Sequence, residues 1–230
     1  MLNTLLLDLD GTLLDTAPDF VTTLNQQLKA HGRPPLAPEL IRQRVSHGSG
    51  ALISVGFGIN DTHPEFESLR QELISLYQTH LGEKTVIFPG MQDVLTYIGN
   101  QGWRWGIVTN KPSWLATPLL SQFSFKPACD CTVSSDASLV RKPAPDMLLY
   151  ACELLGCKPK ECIFIGDAEK DIIAGQRAGM LTIAALFGYV ASDDAPEKWA
   201  ADYYVDQAAD IIPILAHLIR DNTSTSKGFV

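Results

Sequence analysis

The chain has 230 residues, 46% of them apolar, which is enough for a sizeable core and unlike a disordered chain. With 18 basic against 26 acidic side chains and a formal charge of −8, it excludes a nucleic-acid partner held through its phosphate backbone, because such binders need clustered positive charge. At this length one large domain, or one domain carrying a smaller insertion, is expected.

Residues 1–8 carry no basic region ahead of their short apolar run, so no leader is expected. No stretch approaches the roughly 18–20 consecutive apolar residues of a membrane span, and no membrane partner is expected. Leu5-Leu6-Leu7 followed by Asp8 predicts a buried strand ending in carboxylates. Thr16 then predicts a helix cap, with Pro18 in the first turn, Val21, Leu24 and Leu28 on one face, and Gly32, Pro34 and Pro35 as the stop. Phe66, Leu69, Leu73, Leu76 and Tyr77 mark a second long amphipathic helix. No strand is expected between residues 16 and 84, and Pro89-Gly90 marks the return to a different rhythm.

Beyond that point helical and extended patterns alternate. Val94, Leu95 and Ile98 share a helical face, as do Leu148, Ala151, Leu154 and Leu155. Apolar runs at residues 105–109, 162–165, 181–185 and 203–205 predict strands. The class is therefore α/β: a Rossmann-like, mostly parallel sheet with helices on both faces and its site at the carboxyl ends of the strands. Residues 1–15 and 89–221 form the expected core, residues 16–88 an inserted all-helical unit, and residues 222–230 a polar, frayed tail. Trp103, Trp105, Trp114 and Trp199 are read as core residues before interface ones. The five cysteines (Cys129, Cys131, Cys152, Cys157 and Cys162) lack the spacing of paired zinc knuckles. They are read as ordinary reduced thiols, several of them buried, which suits a reducing cytoplasm.

Asp8-Leu9-Asp10-Gly11-Thr12 is the most informative segment. Side chains at i and i+2 of an extended stretch point the same way, so both carboxylates face one centre. Like charges so close need a cation or a shared proton, and hard oxygens with open positions suit Mg²⁺, with Mn²⁺ as a substitute. Gly166-Asp167-Ala168-Glu169-Lys170-Asp171 again places acids at a strand end, where they supply further metal carboxylates or merely cap a helix. Thr109-Asn110-Lys111 ends a third strand with a hydroxyl and turn amides suited to phosphoryl oxygens, or is a plain turn. Lys142 sits between Arg141 and Pro143-Ala144-Pro145-Asp146, a cation on a stiffened backbone.

In this order the four segments resemble the four motifs of the haloacid dehalogenase-like phosphatases, over nearly the whole chain. The helical insertion is similar to that family's C1-type cap, and Leu13-Leu14-Asp15-Thr16-Ala17-Pro18-Asp19 resembles its phosphoglycolate phosphatase branch. The resemblance implies Asp8 as nucleophile and Asp10 as acid and then base. It implies Mg²⁺ held by Asp8, the Asp10 carbonyl and Asp167, with Asp171 as ligand or outer neighbour. Thr109 and the Asn110 amide would bind the transferring oxygens, and Lys142 would neutralise them. Ser46-His47-Gly48-Ser49-Gly50 is expected to be a cap loop that reaches the substrate, or an ordinary interhelical turn. The cap is expected to hinge near residues 15–18 and 84–89.

The expected substrate is a small phosphorylated metabolite, with 2-phosphoglycolate first. N-acetylmuramic acid 6-phosphate is the alternative, on a similarity of residues 46–52, 66–77 and 199–206 to the phosphatase of that compound. A β-phosphoglucomutase-like mutase shares the catalytic residues, and a non-catalytic phospho-ligand binder on the same fold is a different class. Monomer and homodimer both remain open.

Overall fold

The computed structural model describes residues 1–136 and 139–225, with side chains through 220. Its centre is a six-stranded, wholly parallel sheet. The strands are β1 (Thr4–Leu7), β4 (Arg104–Thr109), β5 (Cys131–Ser134), β6 (Cys162–Gly166), β7 (Leu181–Ala185) and β8 (Tyr203–Val205), in the spatial order β5-β4-β1-β6-β7-β8. Strand β1 pairs with β4 on one side and β6 on the other, Leu7 lying opposite both Ile107 and Ile165. The chain runs from β1 to β4 and β5 on one side, then crosses back over β1 to β6, β7 and β8 on the other, a reversal that opens a crevice at the carboxyl ends of the central strands.

Alternation along the strands feeds two cores. Leu5, Leu7, Trp105, Ile107, Ile163 and Ile165 pack on one face against helices α5 (Met91–Asn100) and α9 (Ile211–Thr225) through Val94, Leu95, Ile98, Ile211 and Leu215. Leu6, Val108 and Phe164 pack on the other against α7 (Asp146–Leu155) and α8 (Glu169–Ala178), through Met147, Leu148, Ala151 and Ala174. Leu5, Leu6 and Leu7 are fully enclosed; at about 1.5–3 kcal/mol for each buried leucine, this tripeptide anchors the sheet.

Between β1 and α5 the chain makes a two-residue strand β2 (Leu14–Asp15), helices α1 (Ala17–Ala30), α2 (Pro38–Arg42), α3 (Ser49–Phe57) and α4 (Phe66–Thr79), and the returning strand β3 (Val86–Ile87). Strands β2 and β3 form an antiparallel ribbon where the helical segment leaves and rejoins the sheet layer. Asp19, buried in α1, locks this junction by accepting from the Gly82 and Lys84 amides and the Thr85 hydroxyl. Helix α6 (Ser113–Leu120) follows β4.

Several sequence expectations change. Strand β3 falls within residues 16–88, expected to be all helical, because a two-residue strand has no periodicity to read. Strand β5 was not expected: Cys131-Thr132-Val133-Ser134 is a partly exposed edge strand without an apolar run. Leu154 is 53% exposed rather than on the buried face of α7, and Trp114 is 47% exposed while the other three tryptophans are buried. Helix α9 runs to Thr225, beyond the expected start of the tail at 222; residues 226–230 lie outside the described residues. No helix among the described residues is long and apolar enough to cross a membrane.

Candidate active site

Strand β1 delivers Asp8 at the sheet's carboxyl edge, where its amide still bonds the Ile165 carbonyl. The chain then turns at once, with Leu9 fully buried and Asp10 beyond it. Both carboxylates line a cavity of about 520 Å³ between the sheet edge and the α1–α4 segment. The repulsion between them is relieved by two separate lysines. Lys142 places Nζ 2.9 Å from Asp8 Oδ1, 2.7 Å from Asp171 Oδ1 and 2.9 Å from the Val108 carbonyl, and its side chain is wholly enclosed. Lys111 donates to Asp10 Oδ1 at 2.8 Å and to the Tyr77 hydroxyl at 3.0 Å, beneath the Phe20 and Tyr77 rings. Burial opposes the charge on each ammonium, yet the facing carboxylates hold both well above the ordinary lysine value.

The acidic cluster is deeper. Oxygens of Asp8, Asp167 and Asp171 lie within 4.8 Å of one another, and all three residues are buried. Burial pushes Asp8 up to about 6, against the lowering effect of Lys142. Burial, with Asp171 and Asp8 beside it, pushes Asp167 up to about 7. Asp167 Oδ2 accepts from Ser46 Oγ at 2.7 Å and from the Tyr189 amide at 2.9 Å, whereas Asp167 Oδ1 is buried with no hydrogen-bond partner among the described residues. Three clustered carboxylates, two of them paired with the Lys142 ammonium and the third carrying an unpartnered oxygen, fit a hard divalent cation. Asp171 also meets the capping expectation, since its Oδ2 accepts from the Ala168 amide at the start of α8 while its Oδ1 faces Lys142.

Glycines make room for this cluster. A Cβ on Gly11, whose φ is +85°, would stand 2.0 Å from Asp167 Oδ2, and one on Gly188 would stand 2.3 Å from Asp167 Cβ. Thr109 and Asn110 line the cavity at the end of β4. The Thr109 hydroxyl accepts from the Lys111 amide. The Asn110 side chain exchanges two hydrogen bonds with the Lys142 backbone, donating at 3.0 Å and accepting at 3.1 Å, and so orients the lysine.

Ser46, His47 and Gly48 line the same cavity from the α2–α3 loop, and Ser49 lines it from the start of α3. Ser46 is committed to Asp167, and its carbonyl accepts from Lys170. His47 faces Asp194 at 3.6 Å, and Ser49 accepts from Arg70 at 3.4 Å. Thr16, expected as a helix cap, makes no capping bond; its hydroxyl donates instead to Asp10 Oδ1 at 2.6 Å. Sequence reasoning gave no role to Lys111, Tyr189 or Arg42. Tyr189 Oη accepts from the Thr16 and Ala17 amides and donates to Asp15, which also takes both oxygens onto Arg42. Lys111 had a local signal, a cation directly after Thr109-Asn110; Tyr189 and Arg42 had none.

Comparison with known proteins identifies the family. Residues 5–185 match the family described as haloacid dehalogenase-like hydrolase. An N-acetylmuramic acid 6-phosphate phosphatase of Pseudomonas aeruginosa is 38% identical over 220 residues, covering 96% of this chain and 97% of that protein. A phosphoglycolate phosphatase of Xanthomonas campestris pv. campestris is 40% identical over 202 residues, covering 88% and 91%. Among solved structures, a protein described as a predicted phosphoglycolate phosphatase from Haemophilus somnus superposes with a TM-score of 0.80 at 25% identity, over 93% of this chain and 98% of that one. Sequence motifs, sheet order and relatives along nearly its full length agree, and the chain belongs to the haloacid dehalogenase-like hydrolase family.

Proposed function

We propose that this protein is a Mg²⁺-dependent phosphomonoesterase that works through a phospho-aspartate on Asp8. The observation that carries the reading is the division of labour between the paired carboxylates. Asp8 lies among Lys142, Asp167 and Asp171, as a nucleophile for phosphorus requires, while Asp10 is held apart by Lys111 and Thr16. Asp8, Asp167 and the Asp10 carbonyl would hold the cation, with Asp171 as ligand or outer neighbour; when bound it offsets the charge of a phosphate approaching a carboxylate.

In the first step an Asp8 oxygen attacks phosphorus and the ester oxygen leaves with a proton from Asp10. Because Asp10 Oδ1 already takes two donors, Oδ2 is the atom that carries that proton. In the second step Asp10 takes a proton from water, which hydrolyses the acyl phosphate. Lys142 steadies Asp8 and the transferring group throughout, and the Thr109 hydroxyl and Asn110 amide face the phosphoryl oxygens. The α1–α4 segment acts as a cap that excludes water from the first step, hinged on the β2–β3 ribbon.

The substrate class is a small phosphate monoester that also carries a carboxylate. Lys111, Arg70 and Arg141 line the cavity, so an anionic group away from the phosphate meets cationic side chains. 2-Phosphoglycolate fits this chemistry. N-acetylmuramic acid 6-phosphate fits it too, and a cavity of about 520 Å³, roomy for a two-carbon acid, favours this second reading. The test is phosphate release with Mg²⁺ from both esters, hexose phosphates and nucleotides, with Asp8→Asn alongside. Release from a carboxylated ester that is lost in the variant supports the proposal. Preference for uncharged sugar phosphates would reject the substrate class, and release that survives in Asp8→Asn would reject the mechanism.

A further inference from the structure

At the opposite end of β6 from the catalytic carboxylates lies a cluster of three thiols that the phosphatase reading does not use. Cys152 comes from α7, Cys157 from the loop that follows, and Cys162 is the first residue of β6. Cys162 Sγ is 3.6 Å from Cys152 Sγ and 3.4 Å from Cys157 Sγ, and all three sulfurs lie within 4.8 Å of one another. Cys152 and Cys162 are buried and Cys157 is half-buried. Five residues of extended chain, roughly 16 Å, separate Cys162 from Asp167, so this group is independent of the acidic cluster.

We propose that Cys152, Cys157 and Cys162 form a binding site for a soft, thiophilic d¹⁰ cation of the Zn²⁺, Cd²⁺ or Cu⁺ class. The spacing argues for it: three sulfurs bound at about 2.3 Å to a tetrahedral ion stand about 3.8 Å apart, so modest side-chain rotation closes the shell. The chemistry argues for it as well, since thiolates select soft ions and leave Mg²⁺ to the carboxylates. Binding is a ligand exchange without redox change. Each sulfur gives its proton to solvent and forms one metal–sulfur bond. The half-buried Cys157 marks the side on which the ion enters and on which a water completes the fourth position. A bound ion would pin the end of α7 to the start of β6, so the site is structural and raises the stability of the folded chain by mass action.

The test is a titration of the full chain with Cd²⁺, in a non-thiol reductant and saturating Mg²⁺. The expected result is an ultraviolet sulfur-to-cadmium charge-transfer band that saturates at one ion per chain and yields to Zn²⁺ only in large excess, together with a higher melting midpoint. The half-buried Cys157 thiol should become protected from alkylation as the ion binds. Cys157→Ser should lose the band and the thermal shift while keeping Mg²⁺-supported phosphate release; Cys129→Ser, outside the cluster, should retain the band, the protection of Cys157 and the thermal shift. No saturable band with equimolar Cd²⁺, or an undiminished band in Cys157→Ser, would overturn the proposal. The unaltered chain tests the site without any variant: protection of thiols other than these three also overturns the proposal.

Discussion

Replacing Ser46 by alanine removes a single buried hydroxyl that joins the helical segment to the acidic cluster. In the intact protein Ser46 Oγ donates to Asp167 Oδ2 at 2.7 Å, and the acceptor's other donor is the Tyr189 amide at 2.9 Å. A hydrogen bond to a charged group contributes about 1.5–3 kcal/mol, which corresponds to a tenfold or larger shift between cap-closed and cap-open forms. Lys170 still holds the Ser46 carbonyl, so closure is weakened and not abolished. Because the hydroxyl touches Asp167 and not the ester, Ser46→Ala should lower kcat/KM by about tenfold, and by the same factor for every substrate. The assay is initial-rate phosphate release at saturating Mg²⁺, comparing a carboxylated ester with a small aryl phosphate. An unchanged rate with both would refute the latch. A loss confined to one ester would place the Ser46 hydroxyl on the substrate instead.

Other expectations follow from the same geometry. Gly11→Ala would force a Cβ to within 2.0 Å of Asp167 Oδ2 at a φ of +85°; a displacement of that order costs roughly 100-fold in kcat, read at several Mg²⁺ concentrations. Lys111→Met leaves Asp10 and the Tyr77 hydroxyl without their shared donor. Since Asp10 is 18% exposed, the loss should be about 2–4 kcal/mol, below that of a fully enclosed pair, with kcat falling in parallel; denaturant unfolding and steady-state rates check both. For the metal-free chain, Asp8 at about 6 and Asp167 at about 7 both lie above the 3.8 of an unperturbed aspartate. Between those values the folded state binds more protons than the unfolded state, so stability falls as pH rises from about 4 to 7. Melting in a chelator should show that decline and saturating Mg²⁺ should remove it; a midpoint rising with pH in the chelator would contradict the assignment.

Much of this protein is legible along its chain because strong local rules act there. Leu5-Leu6-Leu7 announces a strand enclosed on both faces, and the following Asp8-Leu9-Asp10-Gly11 can only lie where that strand surfaces. The alternation of strands and amphipathic helices determines the layered parallel sheet, and with it the edge at which Asp8, Thr109 and Asp167 meet. The helical insertion is visible for the same reason, its apolar faces repeating at helical spacing through Leu24, Leu28, Leu69 and Leu73.

What depends on partners far apart in sequence was decided by the tertiary structure alone. Strands β2, β3 and β5 exist through the strands beside them and carry no periodic signal. The Thr16 hydroxyl, which a local rule assigns to a helix cap, finds a carboxylate acceptor in Asp10 and goes there. Ser46 turns from the substrate side to Asp167, 121 residues away, and Lys111 reaches Asp10 across 101 residues. The thiols of Cys152, Cys157 and Cys162, unremarkable in their linear spacing, converge because a helix end and a strand start fold back on one another. Hydrogen bonds and charges are satisfied by whatever group the fold brings within about 3 Å, and that proximity is a property of the packed molecule, not of neighbouring positions in the chain.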